Sequence, residues 1–213
     1  MTWSIIARDA TTGCFGIAVA TRFLAVGARV PFIAARSGAV ATQALVNPSY
    51  GTNGLKLLRE GRSAAEVVDA LVAADVGRDQ RQVHVMDAAG RVAAHSGAAC
   101  VAWAGHVHGV DCSVAGNMLA GPQVLDQTAA AYRAHAGDSF PCRLIAAMQA
   151  GEAAGGDKRG KQSAALLIYG EDDWSDLDLR VDDHADPLTE LARIERLSRE
   201  YWTVFRHFMP SSP

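Results

Sequence analysis

The sequence is short of most features that would place it at once. No apolar run approaches 18 residues, so no membrane-spanning helix is expected. The start lacks the charged, apolar and small-residue segments of an export signal. Four cysteines, Cys14, Cys100, Cys112 and Cys142, lie far apart, with no CxxC pair and no Cys/His metal spacing. That argues against a disulfide framework and a zinc-type site, and isolated thiols suit a reducing cytoplasm. Neither sign of charge dominates: 20 Lys and Arg stand against 23 Asp and Glu, a net charge of −3. No electrostatic case arises for nucleic acid or an anionic membrane. GxGxxG and P-loop patterns are missing, which removes support for nucleotide phosphate binding. There is no GxSxG elbow.

What is present is an ample core. Apolar residues make up 49% of 213 residues, enough for one domain spanning 1–213. Thr2 to Arg8 and Phe15 to Thr21 are β-prone runs around an Asp, Thr and Gly turn, a hairpin pattern. After the loop 22–27, Val30 to Ala35 and Ser37 to Gln43 read as two more strands, apolar almost throughout, as strands covered on both faces are. Asn47-Pro48 marks a helix entry, ended by Gly61. Ser63 with Glu66 forms a capping box for a second helix. Alternation returns at Arg81 to Met86, where His84 shares a face with Gln82 and Met86 and reads as a structural strand residue. Arg91 to His95 runs back. Cys100 to Gly105 and Cys112 to Asn117 read as a further pair, with His106 and His108 on their connecting loop, exposed and without a third metal ligand. Helices are expected from Gly121 to about Ala136 and from Ser139 to Gly151. The polar loop Gly155 to Gly160 feeds a strand at Gln162 to Tyr169, Leu177 to Val181 alternates again, and 187–208 is a C-terminal helix followed by a frayed tail. Four strands, two helices, four strands, two helices, two strands and a helix bury best as a four-layer αββα sandwich of two stacked antiparallel sheets, an α+β fold.

The opening residues suggest chemistry. A threonine follows the initiator methionine and starts the first strand. Once methionine is trimmed, its hydroxyl and its own α-amine, with a pKa of about 7.7–8.0, supply nucleophile and base on one residue.

The stretches Ser4 to Arg8, Ala20 to Phe23 with Ala25 to Gly27, Gly38 to Ala44, Asn47 to Gly51, Gly116 to Leu119, Gly155 to Gly160 with Gln162-Ser163, and Leu179 to His184 carry a resemblance. Through them the chain resembles, over roughly residues 2 to 190, the bacterial family DUF1028, regarded as similar to N-terminal-nucleophile hydrolases. The resemblance implies the sandwich fold and, more weakly, hydrolase chemistry. Compared with proteasome-like members of that wider group, the early aspartate is replaced in Ala20-Thr-Arg-Phe23. No lysine sits in the third strand, where Arg29 is the nearest cation.

If Thr2 is the nucleophile, Gln43, Asn47 and Asn117 are candidate oxyanion donors, with Asn47 also readable as a plain helix cap. Asp157, near Gly160 and Ser163, is the candidate support for the amine. Arg22, Lys158, Arg159 and Ser163 are candidate substrate contacts, the arginines as carboxylate clamps. The expected activity is hydrolysis of a small linear amide or ureide through an acyl-enzyme, with no metal and no cofactor. The alternative is a non-catalytic small-molecule binding or scaffold protein on the same fold. A small-molecule substrate is the expected partner. The apolar tail around Trp202 and Phe205 suggests a homo-oligomer, dimer or larger.

Overall fold

The structure, a computed structural model, describes residues 2–205 and 208–210. Its strands and helices follow in the order β1 (Thr2–Arg8), β2 (Phe15–Thr21), β3 (Pro31–Ala34), β4 (Gly38–Ala44), α1 (Pro48–Arg59), α2 (Ala64–Ala73), β5 (Arg81–Asp87), β6 (Val92–Ser96), β7 (Gly105–Gly109), β8 (Cys112–Asn117), α3 (Gln123–Ala134), α4 (Phe140–Ala153), β9 (Ser163–Tyr169), β10 (Leu177–Val181) and α5 (Pro187–Phe205). One sheet has the order β10-β9-β2-β1-β8-β7, the other β3-β4-β5-β6. Neighbours are antiparallel throughout.

Three apolar layers hold the sheets and helices together. Trp3, Ile5 and Ala7 of β1 face outward onto Leu125, Leu144, Met148 and Leu191 of α3, α4 and α5. Ile6, Ile17 and Val19 face inward onto Ile33, Ala39, Ala41 and Met86 of the smaller sheet. Val40, Val83 and Val85 of that sheet meet Leu55, Leu58, Val67 and Leu71 of α1 and α2. The result is the expected αββα sandwich, with β1 and β2 largely apolar on both faces because each separates two cores.

Local chemistry sets the helix ends. The Asn47 side chain accepts from the Ser49 N–H at 3.1 Å, with Pro48 at the first helical position. Both halves of the Ser63/Glu66 capping box form. Ser139 makes no side-chain cap bond, and Pro141 in the first turn starts α4 instead. Gly16 lets α4 lie close on β2, since a Cβ there would stand 2.6 Å from the Leu144 side chain.

One expected strand is displaced. Cys100 to Ala104 is irregular, and the strand is Gly105–Gly109, so His106 and His108 lie on edge strand β7 rather than in a loop. The reason is at the end of β8: the Met118 N–H donates to the Val101 carbonyl and the Leu119 N–H to that of Trp103. Those bonds hold 101–103 as a loop wrapped over the strand end. The expected run of α5 to residue 208 crosses 206–207, outside the described residues, as do Met1 and the tail positions 211–213. Among the described residues no helix is long and apolar enough to cross a membrane, and no group of three or more His, Cys, Asp or Glu is placed to hold a metal ion.

Candidate functional site

The space between the sheets changes character along its length. Strand alternation sends Thr2, Ser4 and Ile6 of β1 to the same inner face. At the Ile6 end that face is closed by Met86, Ile17 and Phe15. Towards Thr2 the partners turn polar: Gln43 on β4, Gln82 and His84 on β5, and Ser113 and Asn117 on β8. All five are buried, with exposure of 2% or less. Buried polar groups must find partners, and these find one another.

Backbone carbonyls decide the direction of the bonds that run from Gln82 to Ser4. The Gln82 side chain places one amide atom 2.8 Å from the Gly116 carbonyl and 3.0 Å from that of Gly105, so that atom is the donating nitrogen. It also donates to Ser96 Oγ. Gln82 Oε1 therefore accepts, from Gln43 Nε2 at 2.8 Å and Asn117 Nδ2 at 3.0 Å. Gln43 Oε1 in turn accepts the Ser4 hydroxyl at 2.8 Å. With its proton used, Ser4 Oγ accepts from His84 Nε2 at 2.8 Å, and His84 Nδ1 accepts the Ser113 hydroxyl at 3.0 Å. His84 is thus neutral with both nitrogens satisfied. Burial, helped by nearby His108 and His106, pulls its pKa down from 6.5 to about 3.

Thr2 stands at the open end of this cluster. The register that pairs Trp3 with Ala20 brings Thr21 beside it, and Thr2 Oγ1 donates to Thr21 Oγ1 at 3.2 Å. Asn117, opposite Thr2 across β8, donates to the Thr2 carbonyl at 3.4 Å. Beyond the two threonines lies a cavity of about 370 Å³, walled by Phe23, Val26, Arg29, Val30, Ala44, Leu45, Val46 and Pro48. Its size falls at the lower end of small-molecule sites, about 300–1,000 Å³. Backbone strain gathers at this end of the molecule. Ala25, Ala44 and Met118 have φ of 54°, 69° and 55°, left-handed values that cost a non-glycine residue about 1 kcal/mol or more. Ala44 lines the cavity, Ala25 precedes Val26 in its wall, and Met118 follows Asn117; Arg36 and Asp111 take similar values at other turns.

Asp157 is buried one residue from Thr21. Its carboxylate accepts the Arg22 N–H at 2.9 Å and the Arg159 N–H at 2.8 Å, and pairs with the Arg159 guanidinium at 3.1 Å. Gly155 and Gly156, at φ of 119° and 46°, turn the chain so that this side chain points inward. Asp157 thereby pins the end of β2 and, through Thr21, the neighbourhood of the Thr2 hydroxyl. Ser163, fully buried, donates to the Phe23 carbonyl and accepts from the Val26 N–H at 3.2 Å, clamping the loop that walls the cavity.

The other sequence candidates are placed elsewhere. Gln43 is within the inter-sheet cluster, its oxygen and nitrogen both engaged there. Asn47 caps α1 and donates to Asp75 at 3.0 Å, in the wall of a different cavity with Tyr50. Together with the Gly77 N–H and Arg81, that bond holds Asp75 well below the usual carboxylate range. Arg22 donates to the Arg159 carbonyl, and Lys158 to that of Ala102 at 2.9 Å. None of these four lines the Thr2 cavity. Thr21, Ser4, Gln82, Ser113 and the cavity contact of Arg29 were not picked out from sequence. Thr21 had a signal: the hairpin turn at 9–14 sets a register that puts it against Thr2.

Comparison with known proteins gives the following. The family model described as a family of unknown function, DUF1028, matches residues 2–191. The crystal structure of protein SPO2555 from Silicibacter pomeroyi, also described as DUF1028, is similar at 33% identity with a TM-score of 0.87, over 92% of this chain and 88% of that one. Anbu (ancestral beta-subunit) from Yersinia bercovieri matches at 11% identity and a TM-score of 0.41, over 99% of each chain. No curated protein matches.

Proposed function

We propose, from the premise that this chain belongs to the family of unknown function DUF1028, that it is an amidohydrolase of the N-terminal-nucleophile type acting on a small linear amide or ureide. The observation that carries this reading is the position of Thr2. It is the first residue of β1, in the middle of the larger sheet, and it forms the inner wall of a cavity of small-molecule size.

In this reading removal of Met1 frees the Thr2 α-amine. Its neutral form takes the Oγ1 proton as Oγ1 attacks the substrate carbonyl, forming the C–O bond. The tetrahedral oxyanion takes a hydrogen bond from Asn117 Nδ2, which gives up its long contact to the Thr2 carbonyl and keeps its bond to Gln82. Collapse breaks the C–N bond, and the α-ammonium returns its proton to the leaving amine. An ester on Thr2 remains. Water adds with the amine again as base, the Thr2 oxygen leaves and recovers its proton, and the acid departs. Thr21 orients the hydroxyl, and Asp157 holds Thr21 in place through the Arg22 N–H.

A second reading, a binding or scaffold protein on the same fold, draws support from the cavity wall. Among the described residues lining it, Arg29 is the one ionisable side chain, so a blocked amine would leave no base there. The intact mass of protein made in its own host separates the two. Loss of one methionine, with turnover of a small amide abolished in Thr2→Ala and retained at a lower rate in Thr2→Ser, supports the hydrolase. A retained methionine supports the binding protein, and undiminished turnover in Thr2→Ala moves the chemistry to another residue.

A further inference from the structure

We propose that Arg29 is an anion anchor, and that the Thr2 cavity takes aliphatic molecules carrying one carboxylate. As a statement about substrate, that is, amides with a carboxylate on an aliphatic body, it rests on the hydrolase reading; as a statement about binding it does not.

The cavity joins two kinds of wall. Val26, Val30, Leu45, Val46 and Pro48 are aliphatic, and Arg29 is the charged residue among them. A guanidinium is a fixed fork of donors suited to a carboxylate. No acceptor among the described residues takes up that fork, in contrast to the two arginines the sequence pointed to. Arg159 is held by Asp157, and Arg22 reaches the Arg159 carbonyl. One charged side chain among aliphatic walls suits a small anion with an apolar body better than inorganic phosphate, which has no apolar surface to offer those walls.

The segment bearing Arg29 is held in advance. Residues Val26–Ala28 form a single 3-10 turn closed by the Arg29 N–H on the Val26 carbonyl at 3.0 Å, and the Val30 N–H reaches the same carbonyl at 3.2 Å. The Ala25 N–H donates to the Asp182 carbonyl at 3.0 Å, and Ser163 holds the Val26 N–H. Gly27 lies so close on β9 that a Cβ would stand 2.6 Å from the Ala165 methyl. A pre-placed backbone lowers the ordering cost of gripping a ligand.

The test is binding, read apart from turnover. Straight and branched aliphatic carboxylates of four to eight carbons, each with its neutral primary amide, are titrated against the full chain by ligand-observed nuclear magnetic resonance. Inorganic phosphate is the competing anion. Wild type, Thr2→Ala, Arg29→Gln, Arg29→Lys and, as a control for general charge, Arg36→Gln on the β3–β4 turn are compared. The expected result is at least one acid bound about tenfold or more tightly than its amide. The preference persists in Thr2→Ala and Arg36→Gln, is partly kept in Arg29→Lys and is lost in Arg29→Gln. No acid exceeding its amide, a preference that survives Arg29→Gln in protein with an unchanged circular dichroism spectrum, or phosphate binding more tightly than every acid would each overturn the proposal. Carboxylate-selective binding without Thr2-dependent hydrolysis would sink the hydrolase and leave the anchor standing. Thr2-dependent hydrolysis of neutral amides as fast as acidic ones would do the reverse.

Discussion

Replacing His84 by glutamine should flatten the acid sensitivity of this fold. His84 is fully buried and neutral, and its pKa falls to about 3 in the folded chain against 6.5 when exposed. The folded pKa is depressed, so the unfolded chain binds the proton first. Stability is then intact above 6.5, falls as pH drops below 6.5, and keeps falling until pH passes about 3. With those two values the imidazole costs folding about 0.2 kcal/mol at pH 7 and about 2.7 kcal/mol at pH 4.5, a loss of about 2.5 kcal/mol. That is a large share of a domain stability of about 5–15 kcal/mol. Glutamine does not titrate, yet its amide can donate to Ser4 and accept from Ser113 as the imidazole does. Imperfect fit lowers the starting stability of His84→Gln at pH 7, but its slope is what matters. Urea unfolding of both proteins at half-unit steps from pH 7 to 4.5 measures it. Wild type should lose stability faster than the variant, by up to about 1.4 kcal/mol per pH unit below pH 6. The carboxylates titrate in both proteins and drop out of the difference. Parallel slopes would show that His84 is not held neutral, and the bond assigned from the Ser113 hydroxyl to His84 Nδ1 would fall with it.

Three further outcomes follow from the same contacts. Gln82→Leu strands the Gln43 and Asn117 amides in the inter-sheet cluster, and at about 1–3 kcal/mol per buried orphan the cost should be about 3 kcal/mol, read from the urea midpoint. Asn47→Ala removes the α1 cap and the leading partner of Asp75. Stability should fall by about 1–2 kcal/mol, and the Asp75 carboxyl should titrate at higher pH by carbon-detected nuclear magnetic resonance. Ser163→Ala frees the loop that walls the Thr2 cavity, so hydrogen exchange at the Val26 amide should quicken by about tenfold while amides in β9 stay protected.

A polar cluster at one end of an otherwise apolar inter-sheet core also constrains how the sheets can stack. A slip of one residue in β5 would turn Gln82 and His84 away from Ser4, Ser113 and Asn117 and bury Val83 and Val85 against them. Ser4, Gln43, Ser113 and Asn117 would each lose a partner at once. The cluster therefore acts as a register key for the two sheets, and it sets the first residue of β1 at the edge of the cavity.

The element order and the layer scheme are local properties, and the sequence by itself determined them. Asn47-Pro48, the Ser63/Glu66 box, Gly61 and the Asp9 to Gly13 turn act within a few residues, and two-sided apolar strands can be buried only between two cores. The alternation at Gln82, His84 and Met86 was equally readable. What residue pairs those side chains meet was not. Gln43, Asn47 and Asn117 look alike as amides near element ends, yet one is in the inter-sheet cluster, one caps a helix beside Asp75, and one stands next to Thr2. Arg22, Arg29 and Arg159 look alike as cations, yet only Arg29 lines the cavity. Such differences depend on strand register and on which faces of two sheets come together, contacts between residues tens of positions apart, and only the tertiary structure decides them.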